Sequence, residues 1–402
     1  MSLTNFGFLT FHDAFDHTLD QVVGSDQSLR NRRQAVRAVR EAYAEIPARR
    51  NWRYYYRSYT LQTVASQTTG TIAYDYTGGT YERMVTLTGT TWPTDVAGRA
   101  LIINGSRYGV DEYKSSTVLT LDETDCPTTD VDAGTAYTLV KDSYELPATC
   151  RAIFTLYDTN APGRLIPCVD PGDIIRERRL VRGAAFPVMY SAYRGELHTG
   201  GMAIHFAPSP SGVRTYQCYG LFHPAPLNIL DYSGDGTVAT TSGSATVTGA
   251  GTNFTAGHVG CVMRFSSTGN VKIPTDIQGE VDKNRLEPFA MQSVVKNYSS
   301  ATSIGLEIAA DQTLAGSGYR ISSLVDIETG AMRNAFLRCC EAKFATTDRK
   351  MVESRVAMYE DALNKAMYAD QRVYETVGPS WLPMTLAGYA SGISLTTGGT
   401  QP

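Results

Sequence analysis

The chain has 402 residues, 36 of them Lys or Arg and 40 Asp or Glu, for a net charge of -4. That balance excludes nucleic-acid binding driven by overall charge, so any contact with DNA must be local. With 42% hydrophobic residues the chain can bury real cores, and its length suggests roughly two to four domains. No apolar run reaches the ~18 residues that a membrane span needs. The start, Met1-Ser2-Leu3-Thr4-Asn5, lacks the basic and apolar regions of a signal peptide, so the product is expected to stay in the cytoplasm where it is made. The seven cysteines are odd in number and show no Cys-x-x-Cys spacing. The vicinal pair Cys339-Cys340 reads as two reduced, buried small hydrophobes rather than as a redox or metal site.

A short helix is expected over His12–Val22, and an amphipathic one from about Ser25 to Ile46. In the second, Ala35, Val36, Val39, Ala42, Tyr43 and Ile46 recur at the helical period. Arg30, Arg33, Arg37 and Arg40 form a stripe on the opposite face. Asp26 or Ser28 would cap its start, and Pro47 would mark its end. Trp52 to Leu61 is dense in aromatic residues with rough alternation, which predicts a strand.

From about Ser66 to Val140 the chain turns rich in Thr, Gly and Tyr, the composition of a small antiparallel β-module. Beyond it, Arg151–Tyr157 predicts a strand. Asp170-Pro171 predicts a short helix, with Asp170 as N-cap and Pro171 in the first helical position. Strands are expected near Val188–Tyr193, Ala203–Phe206 and Val213–Leu221, the last two forming a hairpin through Ser209-Pro210-Ser211-Gly212. A second β-module spans about Gly236–Ser322, its extra length lying in a polar loop between Ser266 and Met291. Ile327–Val373 predicts helix in two parts with a break at Thr346-Thr347-Asp348. The Gly- and Thr-rich tail after Gly378-Pro379 has no hydrophobic period.

The two modules are copies of one pattern. Val85-Thr86-Leu87-Thr88-Gly89-Thr90-Thr91-Trp92 is answered by Val247-Thr248-Gly249-Ala250-Gly251-Thr252-Asn253-Phe254. The strands Ala100-Leu101-Ile102 and Cys261-Val262-Met263 follow in turn. Each copy then has a Ser/Thr hairpin and closes on a strand led by Tyr137 or Tyr319. The fold class expected is α+β: a discontinuous helical core with a small sheet, made from residues 1–66, 143–235 and 323–402, carrying inserted β-barrel- or sandwich-like modules at 67–142 and 236–322.

The core segments resemble bacteriophage head-to-tail adaptor (connector) proteins. The resemblance is carried by Tyr144-Glu145-Leu146-Pro147-Ala148 before a strand and by Cys168-Val169-Asp170-Pro171-Gly172-Asp173 at a short helix. It continues through Ile204–Pro210 at a Pro-containing turn, Phe222-His223-Pro224-Ala225-Pro226-Leu227 at the exit, and the closing helices from Ala331 to Asp370. It covers over half the chain, and the pieces stand in the family's order. It implies a non-enzymatic virion protein of the neck, assembled in the bacterial host cytoplasm. It implies a homo-oligomeric, commonly dodecameric, ring that binds the portal protein above and a downstream tail protein below. Viral DNA would pass through. The β-modules are not part of the minimal adaptor; they look like modules of phage tail and fibre proteins, and would either offer platforms for tail fibres or other tail proteins or only thicken the ring. No catalytic residue, metal or cofactor is called for.

Three sets of residues are candidates for contact. The stripe Arg30, Arg33, Arg37, Arg40 has the spacing for phosphate contacts in a DNA conduit, for ion pairs with a neighbouring subunit, or for a solvated face. Glu41 and Glu45 dilute it, and a tight grip would oppose DNA passage. Arg49, Arg50, Trp52, Arg53, Tyr54 and Tyr55 interleave cations with aromatics, which suits a subunit interface or a packed strand with snorkelling arginines. Trp381, Leu382, Met384, Leu386 and Tyr389 dot an extended arm, 379–402, that would dock on the portal. His12 and His17 with Asp13, Asp16 and Asp20 lack zinc spacing, and a solvated acidic face is the expectation. Two other readings compete with the adaptor. One is a tail stopper or terminator. The other is a carbohydrate-binding or depolymerising virion protein, which would need aromatic platforms and paired carboxylates in the modules.

Overall fold

The computed structural model describes residues 7–23, 28–78, 80–161, 164–180, 183–194, 201–232, 236–269, 289–348 and 352–377. The fold is mixed α+β, and contacts group the chain into two units, Met1–Tyr54 with Pro224–Pro402, and Tyr55–His223. Each unit holds one of the two modules. The expected core segments are shared out, with the closing helices in the first unit and the central strands in the second.

The first unit opens with α1 (Phe11–Val22) and α2 (Leu29–Arg49). Thr10 caps α1 by accepting from the Asp13 amide while the Asp13 carboxylate accepts from the Thr10 amide, so two orphan donors of the first turn are met. Ser28 caps α2. Pro47 does not end this helix, which runs on to Arg49. So close to the C-terminus a proline removes only the bond to the Tyr43 carbonyl, and its buried ring joins the apolar face.

The stretch predicted as one strand from Trp52 divides where the second unit begins, at Tyr55. Arg53–Tyr55 is a single 3-10 turn, and the strand β1 is Tyr56–Gln62. Module 1 follows as β2 (Thr71–Asp75), β3 (Met84–Thr88), β4 (Ala100–Ile103), β5 (Ser106–Tyr113), β6 (Val118–Leu121), β7 (Val131–Thr135) and β8 (Tyr137–Val140). These form one antiparallel sheet in the order β7-β2-β3-β6-β5-β4-β8. The edge strands β7 and β8 are separated in sequence by Ala136 alone. The sheet must therefore curl until its edges meet, which gives a barrel-like module.

The chain then runs through β9 (Ser143–Glu145), β10 (Cys150–Asp158), β11 (Arg164–Leu165), α3 (Pro171–Leu180), β12 (Ala184–Ala185), β13 (Met189–Tyr193), β14 (Ala203–Ala207), β15 (Ser209–Pro210) and β16 (Thr215–Phe222). Helix α3 starts at Pro171 as expected, and the Asp170 carboxylate accepts from the Gly172 amide at 2.8 Å. The hairpin predicted between β14 and β16 does not form. Both edges of β14 are already taken, by β13 and β9, so β16 pairs instead with β1 and β10. Arg107 of module 1 and Arg178 of α3 both pair with the buried carboxylate of Asp142, which ties the module to these sheets.

Back in the first unit, module 2 comprises β17 (Thr237–Thr240), β18 (Thr246–Ala250), β19 (Cys261–Phe265), β20 (Met291–Ser300), β21 (Ser303–Leu306), β22 (Leu314–Ser317) and β23 (Tyr319–Ser323). Its strand order, β22-β17-β18-β21-β20-β19-β23, is that of module 1 strand for strand. Gly318 alone separates its edge strands, so it curls for the same reason.

The likeness reaches single bonds. Leu87 N donates to the Thr117 carbonyl at 2.7 Å, and Gly249 N to the Thr302 carbonyl at 2.8 Å. Trp92 meets Tyr137 edge to face with centroids 5.2 Å apart, and Phe254 meets Tyr319 in the same way at 5.4 Å. Gly70 and Gly236 occupy one position, with φ of +86° and +92°, and a Cβ there would meet a facing carbonyl oxygen at 2.4 or 2.3 Å. Only glycine fits both demands. The loop expected between Ser266 and Met291 lies largely outside the described residues. Helices α4 (Ala331–Asp348) and α5 (Val352–Val377) complete the unit; Thr346-Thr347-Asp348, where the break was expected, are instead the last residues of α4.

Candidate assembly interface

The helical layer of the first unit is built on α4. Met332, Ala335, Phe336, Cys339, Cys340, Phe344 and Ala345 are all buried, and α1, α2 and α5 pack around them. Burial pushes the Cys339 thiol up to about 12 and raises that of Cys340 well above its ordinary value, so both stay protonated and apolar.

Glu341 sits inside this apolar row at 1% side-chain exposure. His17 of α1 donates through Nε2 at 2.9 Å, Arg338 of α4 pairs at 2.9 Å, and Arg355 of α5 forms a close pair as well. Arg355 also donates to the Gln21 carbonyl at 2.6 Å. Burial alone would raise the Glu341 carboxyl, but the hydrogen bonds from His17, Arg338 and Arg355 hold it below its usual range. One carboxylate thus joins three helices.

Glu45 of α2 is a second such node. It accepts from Lys343 at 2.5 Å, from Arg49 at 2.5 Å and from Tyr359 at 2.9 Å. Burial opposes its ionisation, yet these partners prevail and bring it down to about 2. Both nodes escaped the sequence reading. The one local signal is a lone Glu in the otherwise apolar α4 row.

The mixed cation–aromatic segment resolves into separate roles. Arg49 serves Glu45, and Arg50 pairs with Asp370 of α5 at 3.1 Å. The Arg53 amide donates to the same Asp370, while the side chain of Arg53 is exposed. Trp52 is 1% exposed and donates through its indole to the Ile46 carbonyl. Tyr54 donates to Asp326, and Tyr55 is buried in the second unit.

Arg30, Arg33, Arg37 and Arg40 are all exposed along the outer face of α2. Arg37 pairs with Glu41 at 2.6 Å, and the Arg40 guanidinium lies 5.6 Å from the Phe11 ring centroid. Among the described residues Arg30 and Arg33 have no acidic partner. The arm with Trp381, Leu382, Met384, Leu386 and Tyr389 lies outside the described residues.

Module 2 is anchored on the helical layer through Arg264, whose guanidinium grips the Asp13 carboxylate with two bonds of 2.7 Å. His12, just before it, is buried and has Asp16 Oδ2 3.4 Å from Nδ1. Among the described residues, no group of three or more His, Cys, Asp or Glu is arranged to hold a metal ion. An open depression of about 530 Å³ on module 2 is lined by Thr246, Lys296, Asn297, Ser299 and Glu307 among others. Its single carboxylate does not make the pair that glycoside hydrolysis requires. No helix among the described residues is long and apolar enough to cross a membrane.

No protein-family model matches this chain, and no curated protein matches it.

Proposed function

We propose that this chain is a structural adaptor of a bacteriophage virion. It assembles as a ring between portal and tail, and viral DNA passes through the ring. The order of the core segments supports this reading. So does the build of the helical layer, whose helices are joined by the carboxylates of Glu341 and Glu45 while its outer faces keep strong charge. The observation that carries the reading is the α2 stripe, four exposed arginines with one acid, Glu41, paired among the described residues. Arg37 has Glu41 and Arg40 has the Phe11 ring, but like charges at this spacing repel one another, and a facing acidic partner would relieve that repulsion. The two barrel-like modules give the ring rigid binding platforms, and tail or fibre proteins are the partners they suit.

The test is the mass of the purified protein by native mass spectrometry, alone and mixed with a portal ring. A dodecamer-scale complex with the portal is the expected result. A monomer or trimer indifferent to the portal would overturn the reading.

A further inference from the structure

The outer faces of α2 and α5 carry opposite charge. On α2, Arg30, Arg33, Arg37 and Arg40 recur at steps of three and four, so they lie in one row about 15 Å long at 1.5 Å per residue. All four are exposed, and Leu29 at the head of the row is 76% exposed. On α5, Tyr359, Ala362, Leu363 and Ala366 are buried, and Glu353, Glu360 and Asp361 stand exposed on the other side. Those acids span about 12 Å by the same rise. Asp361 pairs with Lys365 at 2.6 Å, whereas Glu353 and Glu360 have no cationic partner among the described residues. Met358 and Tyr368, at 52% and 63% exposure, flank the acids.

We infer that the arginine row of α2 docks on the acidic face of α5 of a second copy of this chain. The rows are of similar length and opposite in sign, and each has exposed apolar surface beside it to be covered, Leu29 on α2 and Met358 and Tyr368 on α5. Both helices turn their inner rows to the shared layer around α4. A partner's α2 laid on α5 therefore leaves the first copy's α2 and the partner's α5 free. Such a contact is heterologous and repeats from copy to copy, closing into a ring when the rotation allows. The inference rests on the ring reading above, and it assigns the stripe to the subunit boundary rather than to the DNA lumen.

Charge reversal with rescue tests it. One variant carries Arg30→Glu and Arg33→Glu, a second Glu353→Lys and Glu360→Lys, and a third all four. All four sites are exposed, and circular dichroism checks that each variant folds. Assembly is followed by native mass spectrometry with and without the portal ring. Each double variant should weaken assembly at least about tenfold, because like charges then face one another, and the fourfold variant should restore it. Rings that persist in both double variants would overturn the interface and leave the adaptor reading standing. Loss in both without restoration in the fourfold variant would also overturn it. Self-assembly that obeys the swap but ignores the portal would keep the interface and sink the adaptor reading.

Discussion

The indole N–H of Trp52 donates to the carbonyl of Ile46 across 2.7 Å. Ile46 lies in the last turn of α2, where carbonyls have no partner within the helix. Trp52 is 1% exposed and fills the space beneath that turn. The tryptophan therefore caps α2 from the segment that follows it, and the helix can run past Pro47 without leaving this buried acceptor unmet. Trp52→Phe keeps most of the apolar contact and removes the donor. It should cost about 1–2 kcal/mol. The urea midpoint measures this, and a loss below about 0.5 kcal/mol would show that the cap contributes little.

The paired modules make a second prediction, because the same position holds different aromatics. Trp92 and Phe254 are both buried and meet Tyr137 and Tyr319 edge to face. The Trp92 indole nitrogen is buried with no hydrogen-bond partner among the described residues. Trp92→Phe removes that unmet donor along with some volume, and copies what module 2 already does. It should cost less than about 1.5 kcal/mol. Phe254→Ala leaves a cavity under Tyr319 and should cost about 3–5 kcal/mol. Equal losses in the two variants, read by thermal or chemical denaturation, would show that the positions are not equivalent.

These aromatics also show what the sequence could and could not reveal. Trp92 and Phe254 stand at the same place in a repeated pattern, so the module core was visible before any fold was known. Asp170-Pro171 announced α3 because the N-cap and the first helical residue are adjacent in sequence. The Glu341 node is different. His17 is 324 positions away from it, and no local spacing foretells that helices far apart in sequence will bring donors to one carboxylate. The hairpin expected around Ser209–Gly212 failed for a similar reason. Turn residues say where a chain can reverse, but β9, from before α3, had already taken the edge of β14. The acidic face of α5 was not read from the sequence and emerges only once the inner row of that helix is seen to be buried.

Glu45 predicts how the helical layer responds to acid. Its carboxyl, ordinarily near 4.5, is brought down to about 2 because bonds from Lys343, Arg49 and Tyr359 outweigh the cost of burial. A folded-state pKa below the unfolded value gives stability that is present above 4.5 and is lost as the pH falls towards 2. Glu45→Gln should therefore be less stable than the natural protein at pH 7. The gap should narrow between pH 4.5 and 2, where the natural carboxylate becomes neutral as well. Denaturation curves collected across that range decide it, and a gap that stays constant would exclude Glu45 as a source of acid lability.

The joint between α1 and module 2 titrates in the opposite sense at one of its two groups. Burial lowers His12 to about 4, aided by the nearby Arg320 and Arg264 charges and resisted by Asp231 and Asp13. Burial raises Asp16 to about 7, with Arg320 opposing and Asp13, Asp20 and Asp231 adding to the rise. Between about pH 4 and 6.5 the unfolded chain binds a proton at His12 that the folded one does not. Over the same range the folded chain holds a proton at Asp16 that the unfolded one has released. The two slopes oppose, so the natural protein's joint is nearly insensitive to pH there. Asp16→Asn removes one side of the balance. Its stability relative to the natural protein should rise steadily from pH 5 to 7 and then level off, because above about 7 the native Asp16 must ionise at a cost that asparagine avoids. Asp16 is 43% exposed, so solvent screens part of this effect and the slope will be shallower than one full proton. A stability difference that is flat from pH 5 to 8 would show that Asp16 titrates as an ordinary surface carboxylate.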